Sequence, residues 1–311
     1  MNKTLVRILS CFIPNKYERH KFIVKYQPHT DTYGNKKVIY DEKAQELIKN
    51  KLNSNEPCLI CRFGLTEFKV LYSYIFKHSK YNKNLYDVMY PIYPVSKENL
   101  DKFAQNLINL TPDIDILACW SDPDEAKYCK KYCRKDTEYI NFNALNSIIH
   151  PNPWTSALKD KKVLVIHPFA ETIKKQYAKR ELLFKNQETL PEFDLMTLKP
   201  PFITESNIPN QPYPSWIETI DAVKKQIETY EFDIALIGAG PFGILLADHC
   251  KKIGKKAVHI GGATQLLFGI FGTRWENNHP MIKALVNENW TRPSETEKPD
   301  GFKKIENGCY W

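Results

Sequence analysis

The sequence predicts an α/β fold, a parallel sheet flanked by helices behind an N-terminal basic arm, and three observations predict it. Short apolar runs alternate with amphipathic stretches through most of the chain, the order that buries a parallel sheet between helices. One run, Asp233 to Ile237, leads into Gly238-Ala239-Gly240-Pro241-Phe242-Gly243, which opens the next amphipathic segment. The following run, Lys256 to Ile260, ends in a second glycine pair, Gly261-Gly262, again with a helical pattern behind it.

Bulk properties narrow the field. The chain has 311 residues, 42% hydrophobic and 26% charged, enough apolar matter for a sizeable core and too much for a disordered chain. The net charge of +8 is uneven: residues 1–40 hold eight Lys/Arg (Lys3, Arg7, Lys16, Arg19, Lys21, Lys25, Lys36, Lys37) against Glu18 and Asp31. The remaining body is close to neutral, so no nucleic-acid face is expected; such binders spread basic residues over a fold surface. No apolar run approaches the ~18 residues that span a bilayer. Leu5 to Ile13 is interrupted by Arg7 and no small-residue cleavage site follows, so no signal peptide is expected and the protein reads as cytoplasmic. Eight cysteines in a chain this long do not make a disulfide scaffold. Cys58 and Cys61 are spaced C-x-x-C but fall in a strand pattern, which points them to opposite faces; a redox pair would open a helix. Cys129 and Cys133 lie four apart on a helical pattern, and scattered thiols are expected rather than a zinc site built from both pairs.

The elements follow in order. After the arm and the polar stretch His29 to Asn35, Asp41 to Leu52 reads as a helix with Ala44, Leu47, Ile48 and Leu52 on one side. Pro57 to Phe63 is a buried strand and Glu67 to Phe76 a helix. Ser96 caps a helix with Leu100, Phe103, Leu107 and Leu110 on one face. Ile114 to Trp120 is a strand, and Asp122-Pro123 the cap and first position of a helix. Pro151-Asn152-Pro153-Trp154 is a Pro-rich joint, placing a boundary between two halves near 151–160. Beyond it, Lys162 to Ile166 is a strand, Glu171 to Phe184 a helix, Phe193 to Leu198 a strand and Lys199 to Pro214 a long loop. Ser215 and Glu218 read as a capping box before the stripe Trp216, Ile220, Val223 and Ile227. Asp233 to Ile237, Phe242 to Lys252, Lys256 to Ile260 and Thr264 to Phe271 then alternate strand, helix, strand, helix. The tail, 291–311, is polar and reads as a surface wrap.

The chemistry concentrates at strand ends. A G-x-G-x-x-G that follows a strand and opens a helix is the Rossmann-like phosphate turn: glycines allow a sharp turn and close approach, and helix N–H groups attract an anion. Gly238, Gly240 and Gly243 with Gly261 and Gly262 therefore predict one anion-binding crevice at neighbouring strand ends. A dinucleotide enzyme also needs an acidic residue about 20 residues further on for its ribose, and His259-Ile260-Gly261-Gly262 has none. His167 follows a strand, where it reads as a phosphate contact, a base or a structural hydrogen-bonder. Glu171 suits a first helical turn on dipole grounds alone. Gln265 reads as a sugar or base contact or as a cap, and Arg274-Trp275 as a phosphate clamp or a solvated pair. Arg62-Phe63-Gly64-Leu65-Thr66-Glu67 occupies another strand-to-helix junction; Arg62 suits a phosphate, and Glu67 a metal or a base.

Taken together, Arg62 to Glu67, Trp154 to Phe169, Phe232 to Gly243 and Lys255 to Trp275 resemble the GT-D family of bacterial glycosyltransferases, Rossmann-like enzymes that use sugar nucleotides to build surface glycans. The first stretch is similar to the family's Arg-Phe-Gly-Asp-x-Glu, whose acidic pair is tied to a divalent metal and the donor diphosphate. Arg62, Phe63, Gly64 and Glu67 match, and Leu65 replaces the Asp. The resemblance implies a GT-D glycosyltransferase domain over 41–290, of hexosyltransferase type, with a nucleotide-sugar donor over Gly238, Gly240 and Gly261. Arg62 or Arg274 would stabilise the departing diphosphate, and Glu67 or His167 would take the acceptor's proton; Gly64, Gly243, Gly262 and Gln265 complete the expected nucleotide set. Mn2+ or Mg2+ would sit at Glu67, with a reduced role because Leu65 offers no oxygen. The acceptor would be a glycan or lipid-linked glycan in polysaccharide or capsule synthesis. The basic arm would lie peripherally on anionic lipid at the inner membrane face. Two other classes fit the same motifs: a Rossmann-type oxidoreductase, and a nucleotide-binding module without turnover.

Overall fold

A computed structural model describes residues 3–13, 22, 26, 28–278 and 280–311. The elements are α1 (Lys3–Cys11), a hairpin of β1 (Thr32–Tyr33) and β2 (Lys36–Lys37), α2 (Asp41–Asn53), β3 (Cys58–Cys61), α3 (Leu65–Phe76), α4 (Lys83–Val88), α5 (Lys97–Leu110), β4 (Ile116–Cys119), α6 (Pro123–Tyr132) and β5 (Glu138–Asn141). Then follow β6 (Lys162–Ile166), α7 (Ala170–Tyr177), β7 (Asp194–Leu198), α8 (Trp216–Ile227), β8 (Ile234–Ile237), α9 (Gly243–Lys252), β9 (Lys256–His259), α10 (Thr264–Leu267), α11 (Thr273–Asn278) and α12 (Pro280–Lys283). Among the described residues, β3 to β9 form one seven-stranded sheet in the order β5-β4-β3-β9-β8-β6-β7, with every neighbouring pair parallel. The sheet takes strands from both sides of the Pro-rich joint, and β9 lies between β3 and β8.

The inner strands are buried on both faces, which is why they read as continuous apolar runs. Alternate residues divide between two cores. Leu59, Cys61, Leu117, Leu164, Ile166, Ala235, Ile237 and Ala257 pack with residues of α3, α5, α6, α8 and α9. Cys58, Ile60, Ile116, Ala118, Val163, Val165, Leu236 and Val258 pack on the other side with α2 and the segments around α7 and α10. Cys58 and Cys61 thus face opposite cores, and the two cysteine pairs do not meet around one ion. A polar staple fixes the amino ends of β3 and β4. Asp115, 6% exposed, accepts from Leu59 N at 2.7 Å, Lys251 Nζ at 2.7 Å and Arg134 Nη2 at 2.7 Å, with Lys51 Nζ at 3.2 Å.

Several local expectations are corrected. The first strand and the turn of the hairpin lie inside the polar stretch His29 to Asn35, and β2 follows directly: Gly34 adopts φ +58° and lets Tyr33 pair with Lys36. Edge strand β5 escaped notice because only its central residues, Tyr139 and Ile140, are buried. α3 begins at Leu65, two residues earlier than expected. α7 ends at Tyr177 instead of running to Phe184, since Leu183 and Phe184 turn into the core. α10 ends at Leu267, because Gly269 at φ +61° terminates it. Ser215 caps α8, but its hydroxyl donates to the Glu218 carboxylate at 3.0 Å, so only half of a capping box forms.

The tail is not a surface wrap. Glu297 is buried and accepts from Glu171 N at 2.9 Å and Thr172 N at 3.3 Å, capping α7. Trp311 is buried against Phe169, Phe202 and Phe302. On α1, Val6 is buried while Leu5 and Leu9, with Phe12 just beyond, are exposed. The arm's Lys16, Arg19, Lys21 and Lys25 lie outside the described residues. No helix among those described is long and apolar enough to cross a membrane.

Candidate active site

Strand order reverses between β3 and β9. From β3 the chain proceeds outward to β4 and β5, while β9, β8, β6 and β7 lie on the other side. Parallel α/β sheets bind ligands in the crevice outside the carboxyl ends of the strands at such a point. The residues just past those ends are Arg62 after β3, Ile260-Gly261-Gly262 after β9, Gly238 after β8 and His167 after β6.

Arg62 is the centre of this edge. Its Nε donates to Ile260 O at 3.3 Å. Its guanidinium lies against Gly261, where an added Cβ would come within 2.0 Å of Nη2. Gly261 also adopts φ +76°, a conformation that favours glycine. The two terminal nitrogens of Arg62 meet no acceptor among the described residues. Burial weakens its hold on the proton, the Glu67 carboxylate opposes that effect, and the Arg274 charge adds to it; an arginine stays charged through such a shift. On its outer side Arg62 lies 5.6 Å from the Phe142 ring centroid, and Phe142 stacks on Trp120 at 3.8 Å. Trp120 is held in turn by an Nε1–H bond to Phe63 O at 2.7 Å.

Glu67 occupies the third position of α3, with its carboxylate folded over Gly64; a Cβ at Gly64 would fall 1.9 Å from Oε2. Gly64 is thus the seat of Glu67. Leu65 is 55% exposed and contributes no donor. Among the described residues no three His, Cys, Asp or Glu side chains gather as a metal site. A single carboxylate facing an arginine does not fit a divalent ion, which needs several oxygens.

The glycines of the phosphate turn divide by task. Gly238 is pressed between strand ends: its Cβ would meet Gly261 O at 2.6 Å and His167 Cδ2 at 2.7 Å. Gly243 lets α9 close on His259, whose Nε2 would lie 2.5 Å from a Cβ there. Gly240, at φ +54°, is the exposed member, with nothing within 4 Å of its Cβ direction. Close ligand approach is available at Gly240, whereas Gly238 and Gly243 serve packing.

His167 is buried, and burial alone pushes its pKa down to about 3. Its Nδ1 accepts from Phe169 N at 3.0 Å, so the proton of the neutral ring is on Nε2. The histidine therefore offers the site a donor, and the base role expected for it does not fit: its one lone pair is occupied. His259, equally buried, is also pushed down to about 3 by burial, then by Arg62. Gln265, wholly buried, donates from Nε2 to Ile270 O at 3.3 Å and Tyr310 O at 3.2 Å and so acts as a strut, while its Oε1 has no partner among the described residues.

The strut points to a participant that sequence reasoning missed. Tyr310 lies on Gly262, where a Cβ would come within 2.4 Å of its Cε1. Arg274 covers its other side, 4.6 Å from the ring centroid to Cζ, and donates from Nη1 to the hydroxyl at 3.1 Å. Arg274 N further bonds to Cys309 O at 3.1 Å and Thr273 N to Trp311 O at 3.2 Å. The available signal was the aromatic pair Tyr310-Trp311 in an otherwise polar tail.

No protein-family model and no curated protein matches the chain. The chain is similar to a selenomethionine-substituted structure of domain of unknown function 1792, with a TM-score of 0.45 and 13% identity over 84% of this chain and 92% of that one. It is similar also to a structure of that domain described as having a distinct glycosyltransferase fold, with a TM-score of 0.44 and 12% identity over 84% of this chain and 92% of that one.

Proposed function

We propose that this chain is a glycosyltransferase that takes a hexosyl group from a nucleotide-sugar donor, with protein cations in place of a metal at the diphosphate. One observation carries the reading: Arg62 and the Tyr310–Arg274 pair converge on Gly261-Gly262 at the reversal of strand order. A departing nucleoside diphosphate gains negative charge in the transition state, and fixed cations beside it lower the barrier. Arg62 is already seated, so it needs little reorganisation when that charge develops. The Nε2–H of His167 supplies a neutral donor along the same edge. Glu67, the one carboxylate of the set, takes the acceptor hydroxyl's proton.

The acceptor is a surface glycan or a lipid-linked precursor of one, as in polysaccharide or capsule synthesis. In this reading the enzyme lies peripherally on the cytoplasmic membrane face through the apolar side of α1, and the exposed Leu5, Leu9 and Phe12 support it. A thermal-shift screen against nucleotide sugars, with and without manganese, followed by a transfer assay on the stabilising donor, tests the proposal. Stabilisation by a donor that then stays intact with every acceptor would favour a binding module. Absorbance of a bound dinucleotide in purified protein would favour an oxidoreductase.

A further inference from the structure

Tyr310 is placed as a tail residue rarely is. Its ring is clamped between the Gly262 backbone and the Arg274 guanidinium, its carbonyl is held by Gln265, and the Gly272 Cα faces its own backbone, where a Cβ would fall 2.5 Å from the Tyr310 carbonyl carbon. Its hydroxyl accepts from Arg274. The hydroxyl's own proton meets no acceptor among the described residues. Arg62 lies close enough to act on the phenol electrostatically. Burial raises the phenol's pKa, so the group keeps its proton and remains a donor. The terminal nitrogens of Arg62 and the Tyr310 O–H therefore present hydrogens above the glycine pair with no acceptor between them. Both residues are partly exposed, so these hydrogens are open to a ligand from solvent, and a cluster of donors that includes a guanidinium suits an anion.

We propose that Tyr310 is a binding residue for the diphosphate of the donor, giving its hydroxyl hydrogen to a phosphate oxygen that Arg62 also holds. This rests on the reading of Arg62 and Gly261-Gly262 as a diphosphate site. It adds that the site is completed by the tail, some 45 residues beyond Gln265 in sequence. The same contact makes the tail sensitive to occupancy, since the ligand and Arg274 share one hydroxyl.

The test uses the full chain and inorganic pyrophosphate, titrated by calorimetry in the absence of divalent metal. Tyr310→Phe keeps the ring on Gly262 and under Arg274 and removes only the hydroxyl. It should bind pyrophosphate roughly ten-fold more weakly or worse, as for loss of a hydrogen bond to a charged group, with its melting temperature close to that of the wild type. Equal affinity in wild type and Y310F would overturn the role of Tyr310 and leave the diphosphate site standing. Tighter binding by Y310F would also overturn it, by making the hydroxyl an obstacle. Absence of pyrophosphate binding to the wild type would overturn the underlying site as well. Hydrogen exchange on the unsubstituted chain gives an answer independent of any variant's folding: pyrophosphate should slow the amides of residues 308–311 together with those of 261–263. Protection of 261–263 alone would leave the tail out of the site.

Discussion

Gly261→Ala puts the seat of Arg62 to the test. The new methyl would stand 2.0 Å from Arg62 Nη2, against an ordinary contact of about 3.5 Å, so the guanidinium must retreat by more than an ångström. Its Nε bond to Ile260 O, at 3.3 Å, is lost with that movement, at about 1 kcal/mol. The φ of +76° at residue 261 adds roughly 1–2 kcal/mol for a residue with a Cβ. The total, roughly 2–3 kcal/mol, corresponds to a fall in Tm of roughly 3–5 °C in a chain of this size. Removing a charge-assisted contact to phosphate costs about 1.5–3 kcal/mol, or roughly 10- to 100-fold in affinity. Calorimetry with a nucleoside diphosphate and thermal denaturation read the two effects separately. Gly254→Ala is the matched control: it carries φ +80° with nothing within 4 Å, so it should lose stability by strain and keep its affinity. If Gly261→Ala melted early yet bound the ligand as well as Gly254→Ala, Arg62 would not be a ligand contact and the reasoning above would fail.

Other expectations can be checked in parallel. Gly240→Val should fold, since nothing lies within 4 Å of that position, but lose nucleotide affinity through its φ of +54° and its bulk over the crevice; unchanged calorimetric affinity removes this loop from the site. Transfer activity should persist in EDTA, because the residues around Glu67 do not assemble an oxygen cage; complete loss restored by manganese would contradict this. Asp115 pays a burial cost as an anion, yet hydrogen bonds from Lys251 and Leu59 and the charges of Lys251 and Lys51 hold its pKa below the usual value. Its stabilisation is therefore full above the unfolded aspartate value of about 3.9 and is lost as pH falls through the lower folded value. Asp115→Asn should cost about 3–5 kcal/mol by stranding the lysines and arginine and flatten the acid limb of a denaturation series, whereas an unaltered limb would refute that assignment. The full chain should co-sediment with anionic vesicles more than a chain starting at Lys21, less so in high salt; equal pelleting would exclude the arm as an anchor.

The sheet was largely legible in the sequence because its inner strands are buried on both faces, and a run such as Ile234-Ala235-Leu236-Ile237 has few other readings. Element ends were less legible where tertiary packing sets them, as where Leu183 turns inward. The glycine turns were legible as strand-to-helix junctions, but their division of labour was not. Gly243 and Gly261 are glycines because His259 and Arg62 lie against them, contacts made across 16 and 199 residues of chain. The protonation of His167 depends on a local backbone bond that no residue type announces. Tyr310 was hidden for a related reason: a polar tail gives no periodic signal, and its anchors, Gln265, Gly272 and Arg274, lie far upstream.

The insertion of β9 between β3 and β8 has a consequence for how the molecule comes into being. β3 spans residues 58–61 and its partner β9 residues 256–259, so a ribosome delivers the β3–β4–β5 layer long before its inner edge can be covered. Until then that edge offers unpaired N–H and C=O groups flanked by Leu59 and Ile60, the kind of surface on which chains associate wrongly. Closing so distant a pair is slow on entropic grounds. Neither side of the Pro-rich joint is thus a self-sufficient folding unit, and expression of residues 41–150 alone should give aggregates where the whole chain gives monodisperse protein.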